Sequence, residues 1–154
     1  MKLRIIFLTC ALALCLSANA QLPTTFLGYG FGCTFETALK SFAVNHRDFN
    51  PWSSKQGIAV FKETFAGQTW QIMLFGFSGG YLNSFSCENH NCTTDDFNTL
   101  SAKVHYKYAN YLISEIKKEE VDTYERIYYD GNTRCNLLWQ QGIIKLTFTL
   151  DKDL

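Results

Sequence analysis

Apolar residues recur along this chain with two periods, and the alternation between them outlines the fold. Phe35, Ala38, Leu39 and Phe42 fall at i, i+3, i+4 and i+7, one stripe of a helix. Thr34 is placed to cap it, and the polar stretch from Asn45 to Gln56, which contains Pro51, ends it. Period-two alternation follows in residues 58–65, 69–77 and 81–87, separated by Ala66-Gly67 and by Ser78-Gly79-Gly80. Closely spaced strands with glycine turns read as an antiparallel meander. Phe97, Leu100, Val104, Tyr108, Tyr111 and Leu112 then return to helical spacing. Thr94 stands as their cap, with Asp95 and Asp96 at the positive end of the helix dipole and Lys117 and Lys118 at the other end. The stripe predicts a helix of about 22 residues, roughly 33 Å long. Residues 122–129, 133–140 and 143–150 complete a second meander, with Asp130-Gly131 as a two-residue hairpin turn. Helix plus three strands thus occurs twice, in residues 26–87 and 92–150. The expected fold is α+β: an antiparallel sheet of about six strands with two helices packed on one face.

Before these elements lies a segment of another kind. Lys2 and Arg4 precede an almost unbroken apolar run at residues 5–16, and Ala18 and Ala20 stand at the minus-three and minus-one positions before Gln21. This is the layout of a secretory signal peptide over residues 1–20, and the run falls short of the roughly 20 residues of a membrane span. Leu14 precedes Cys15 and Thr9 precedes Cys10, where a lipid-attachment signal would carry a small residue. The expected product is residues 21–154 as a single domain, periplasmic or secreted, with no stable membrane span.

Export changes how the cysteines are read. Cys10 and Cys15 lie in the leader, leaving Cys33, Cys87, Cys92 and Cys135, an even number suited to two disulfides in an oxidising compartment. The short polar stretch between Cys87 and Cys92 suggests that these two pair, which leaves Cys33 with Cys135. A metal reading of Cys87, His90 and Cys92 lacks a nearby fourth ligand. Asn91-Cys92-Thr93 is a glycosylation sequon in a eukaryotic host.

The stretch Leu27-Gly-Tyr-Gly-Phe-Gly-Cys-Thr-Phe-Glu-Thr-Ala38, followed by a hairpin with Phe65-Ala-Gly67 at its turn, resembles the opening of small exported bacterial modules. It is similar to the beta-lactamase-inhibitor-like and outer-membrane-assembly-lipoprotein-like group over residues 26–87. The resemblance implies helices packed on an antiparallel sheet and an extracytoplasmic setting, and it carries over no contact residue.

Composition narrows the functional classes. The 154 residues hold 14 basic and 14 acidic side chains, so the electrostatic footprint of a nucleic-acid binder is missing. Hydrophobic residues at 47% and aromatic residues at 16% suit a packed core rather than a disordered chain. There is no phosphate-binding loop, dinucleotide fingerprint, nucleophile elbow or His-Glu-x-x-His, so no cofactor is implied. His46, His90 and His105 are scattered. Aromatic residues are the remaining candidates, because tyrosine and tryptophan bury area while keeping a polar edge. Most line the core, and Trp52, Tyr106 and Tyr129 are the expected ligand-binding positions. The expected function is that of an exported, non-catalytic module binding a protein or cell-envelope component. The alternative is a carbohydrate- or small-ligand-binding protein that uses exposed aromatics.

Overall fold

The computed structural model describes residues 21–151, so the expected leader lies outside the described residues. The chain begins with a small hairpin of β1 (Thr25–Phe26) and β2 (Tyr29–Gly30). Next come α1 (Phe35–Val44), β3 (Phe49–Pro51), β4 (Gly57–Phe65), β5 (Gln68–Ser78) and β6 (Tyr81–Asn89). The second half repeats that order with α2 (Thr94–Tyr108), β7 (Leu112–Lys118), β8 (Thr123–Tyr129), β9 (Thr133–Gln140) and β10 (Ile143–Leu150).

Strands β3 to β10 form one sheet in the order β3-β4-β5-β6-β10-β9-β8-β7, antiparallel throughout. The sheet therefore has eight strands, not six. β3 escapes the alternation rule because it spans three residues and ends on a proline. β7 escapes it because the sequence there continues the helical stripe. The long helix stops after 15 residues, a 3-10 turn at Ala109–Tyr111 redirects the chain, and residues 112–118 pair with β8.

Local chemistry fixes the ends of the elements. Thr34 caps α1 by accepting from the Thr37 N–H. The cap of α2 is Thr93, one residue before the expected Thr94. Its hydroxyl accepts from the Asp96 N–H while the Asp96 carboxylate accepts from the Thr93 N–H at 2.7 Å, a reciprocal capping box. That backbone hydrogen bond holds the Asp96 carboxyl below its usual range. Ala66-Gly67 and Gln141-Gly142 each have both residues at positive φ, the primed turn that suits strand twist. Asp130 does not open a two-residue turn as expected. Its carboxylate accepts from the N–H groups of Asn132 and Thr133, which builds a longer connection.

The core lies on one face of the sheet. Direct cross-strand partners Ile58, Phe75, Phe85, Phe148, Cys135 and Tyr128 form a row over β4, β5, β6, β10, β9 and β8, and none is more than 2% exposed. Phe42 of α1 meets Phe75 at one end of the row, and Tyr108 of α2 meets Tyr128 at the other, so both helices cover this face. The β1–β2 hairpin covers its centre. Phe26 stacks on Phe85 at 4.3 Å and also touches Phe65 and Phe148, while the Tyr29 hydroxyl donates to Ser41 of α1. Among the described residues no helix covers the opposite face. Its corresponding row is Ala59, Leu74, Ser86, Thr147, Asn136 and Ile127, all half-buried. Among the described residues no helix is long and apolar enough to cross a membrane.

Phe26 is fully buried where the two halves join. Truncation to alanine opens a ring-sized cavity, and Phe26→Ala is expected to destabilise the fold by about 3–5 kcal/mol. Urea denaturation measures this directly, with a shift in midpoint at an unchanged slope.

Candidate functional site

The two halves share an order of elements but not a filling. Under α1, the inner positions of β4 and β5 are Ile58, Val60, Met73, Phe75 and Phe77, all buried, and Phe35 and Phe42 pack onto Phe77 and Phe75. Under α2, the inner positions of β8 are Tyr124, Arg126 and Tyr128, opposed by Ser101 and His105 of the helix. Aromatic packing is kept only at the two ends of α2, Phe97 against Tyr124 and Trp139 and Tyr108 against Tyr128. Between α2 and the β7–β8 hairpin lies a cleft of about 830 Å³.

The cleft is organised around one carboxylate. Glu115 projects from β7 toward the helix side and accepts from the Arg126 Nε at 3.2 Å, from its Nη2 at 3.4 Å, and from the Tyr124 hydroxyl. The Arg126 Nη1 donates to the Ser101 hydroxyl at 2.8 Å, which ties strand to helix across the cleft floor. The guanidinium carbon lies 5.3 Å from the centre of the Tyr124 ring. These donors, led by the Tyr124 hydroxyl and then Arg126, hold the Glu115 carboxyl below its usual range. Burial, followed by the hydrogen bond to Glu115, pushes the Tyr124 phenol up. Burial pushes Tyr128 up to about 12. On the cleft wall, His105 keeps its Nδ1 buried without a hydrogen-bond partner.

The rim is charged. Lys117 pairs with Glu119 at 2.8 Å, Lys118 stands nearby, and Asp122 accepts from the Trp139 indole N–H at 3.2 Å. Three cations, Lys117, Lys118 and Arg126, face three carboxylates, Glu115, Glu119 and Asp122. An aromatic floor with fixed donors and acceptors of both signs has the chemistry to hold a polar ligand.

The expected ligand-binding residues are not brought together. Trp52 lies beside the β3 edge, and its ring lies so close to Gly57 that a Cβ there would sit 2.7 Å from it. Tyr106 is on the outer side of α2 and 92% exposed. Tyr129 is near the end of β8, where its hydroxyl donates to the Gly131 carbonyl and its ring lies 5.9 Å from the Arg134 guanidinium. The cleft residues Glu115, Arg126, Ser101 and His105 were not singled out by the sequence as a site. One signal could have found Arg126: it shares the alternation phase of Tyr124 and Tyr128, which puts a charge among inward-facing aromatics.

The expected disulfides, Cys87 with Cys92 and Cys33 with Cys135, are not formed, and all four thiols stand unbonded. The strand expected to end at Cys87 runs on to Asn89, so the first two residues of the polar stretch are strand and not loop. Cys87 sits within β6, paired with Met73 and Leu146 and facing the core. Cys135 is on β9, and β10 lies between it and Cys87, so strand spacing alone keeps their Cα atoms about 9.5 Å apart, beyond disulfide reach. Burial raises both thiols far above their usual value. Among the described residues no three His, Cys, Asp or Glu side chains converge as a metal site would require.

The depressed Glu115 carboxyl gives the fold a pH dependence with a definite sign. Its bonds to Tyr124 and Arg126 contribute stability above the unfolded carboxyl value of about 4.3, and that contribution fades as pH falls through the lower folded value. Denaturation between pH 7 and about pH 3 should show a decline that Glu115→Gln makes shallower. In the thiols, iodoacetamide at neutral pH should label Cys33 and Cys92 in the native chain and reach Cys87 and Cys135 only after unfolding, as read by peptide mass spectrometry.

Compared with protein-family models, curated proteins and solved structures, the chain matches none.

Proposed function

We propose that this chain is an exported, non-catalytic binding module that recognises a protein or cell-envelope component, and that the cleft between α2 and the β7–β8 hairpin is where it does so. The observation that carries the reading is the difference between the halves. One helix–sheet interface is filled with phenylalanine, and the other keeps about 830 Å³ open and places Arg126, Glu115 and Tyr124 in it. That volume lies within the usual range of ligand pockets, roughly 300–1,000 Å³. Export rests on the leader, with its positive start, apolar centre and Ala18-Asn-Ala20 exit.

The cleft also favours the alternative of a carbohydrate or small ligand, since Tyr124 presents a half-buried ring beside hydroxyl, carboxylate and guanidinium groups. On this reading the stacking residue is Tyr124 rather than Trp52, Tyr106 or Tyr129.

A photo-crosslinking side chain placed at Asn98, on the cleft rim, should capture a discrete species from native envelope extract, while the same group at Ser86 on the open sheet face should not. Equal capture from both positions, or none from Asn98, removes the cleft as the recognition site. A glycan array run in parallel separates the two ligand classes: retention there that Tyr124→Ala abolishes assigns the cleft to sugars.

A further inference from the structure

We infer that β7 is a self-association edge, pairing antiparallel with β7 of a second copy of this chain about a two-fold axis at Ile116. The inference stands on strand geometry and is independent of what the cleft binds.

The two ends of the sheet differ. β3 is three residues long and ends on Pro51, which has no N–H to offer, so that edge is blunt. β7 is seven residues long, and among the described residues no strand pairs with its outer side. Exposed large apolar side chains also gather here: Ile113, Ile116 and, in the following turn, Val121 are 56%, 37% and 49% exposed. They are three of the seven large hydrophobic side chains exposed among the described residues.

Backbone direction limits the possible registers. The Gln141 N–H donates to the Asp122 carbonyl and the Asp130 N–H to the Thr133 carbonyl, so even-numbered residues along β8 turn their polar groups toward β9. Odd-numbered residues of β8 therefore bond to β7, and their partners there are Ser114, Ile116 and Lys118. The N–H and C=O groups of Glu115 and Lys117 point outward, away from the sheet. Pairing two copies must match outward-pointing residues with each other, which leaves three central registers. Glu115 opposite Glu115, or Lys117 opposite Lys117, sets like charges directly across the strands. Glu115 opposite Lys117 of the second copy sets opposite charges across both symmetry-related positions. It also brings Ile116 against its own mate at the closely spaced, non-hydrogen-bonded pair.

Among the three, only that register joins opposite charges at the outward-pointing pairs with Ile116 facing its own mate. It is isologous, so it closes at two copies, and the blunt β3 edges end the combined sheet. Its two-fold axis runs perpendicular to the sheet, which puts all four helices on one face. The two clefts then lie side by side, each walled by Glu115 and Lys117.

Sedimentation equilibrium of the chain from residue 21 onward, from about 1 μM to about 1 mM, should show a monomer–dimer equilibrium. Lys117→Glu turns both cross-strand charge pairs into like charges and should weaken dimerisation at least about tenfold, whereas Lys103→Glu on α2 should not. Ile116→Cys should oxidise to a covalent dimer, because directly opposed Cα atoms about 4.5 Å apart fit disulfide geometry, and Ser114→Cys should not. Circular dichroism checks that each variant keeps its fold. A chain that stays monomeric across the range overturns the inference. So does a dimer indifferent to Lys117→Glu, or one that crosslinks equally well through position 114.

Discussion

The pairing of β6 with β10 is the constraint from which the rest of the architecture follows. Each is the last strand of its half, and six consecutive residue pairs join them, from Ser84–Thr149 to Asn89–Ile144. Because the pairing is in register, Phe85 and Cys87 of one half continue the buried rows of Phe148 and Leu146 of the other. A slip of one residue would turn one half's apolar side chains to the open face and leave its helix over polar positions. The β1–β2 hairpin guards that register. Phe26 contacts Phe85 from one half and Phe148 from the other at once, which it can do only while those two residues remain opposite each other.

Much of this was legible in the sequence, for identifiable reasons. Strand pairs joined by Ala66-Gly67, Gly79-Gly80 and Gln141-Gly142 announce themselves, because few residues other than glycine accept the backbone those turns need. The helix caps announce themselves because Thr and Asp satisfy backbone donors that nothing else can reach. β7 could not be seen in the same way. A strand at the sheet edge that is mostly exposed has no need to alternate apolar with polar residues, and Leu112 and Ile116 fall at a spacing that also prolongs a helix. The chain switches instead at Ala109–Tyr111, a local change that leaves no periodic trace.

The cleft was hidden for a different reason. Tyr124, Tyr128 and Trp139 read correctly as residues of the second half's sheet, but what stands opposite them depends on how far α2 runs. With α2 ending at Tyr108, Glu115 belongs to a strand and turns inward beside Arg126, where a longer helix would have carried it away. The cysteines illustrate the same dependence. The spacing of Cys87 and Cys92 looks like a loop closure until Glu88 and Asn89 are counted as strand, at which point Cys87 faces the core.

The cleft also stands out against its own twin. Holding a guanidinium and a carboxylate partly away from water costs desolvation, and an apolar filling of similar volume is often as stable or more so. The first half shows that this backbone arrangement accepts a largely apolar filling, since Phe35, Phe42, Phe75 and Phe77 pack together there, with polar contacts limited to the Tyr29–Ser41 hydrogen bond and the Arg47–Glu63 ion pair at 2.6 Å. Stability alone therefore gives no reason for Arg126, Glu115, Ser101 and Tyr124 to occupy the second. Each bond in that group nonetheless spans two elements: Arg126 to Ser101 joins strand to helix, and Arg126 and Tyr124 to Glu115 join β8 to the edge strand. The group ties α2 and the edge strand to β8 and presents both signs of charge in the cleft between them, a preorganised arrangement that suits the proposed recognition.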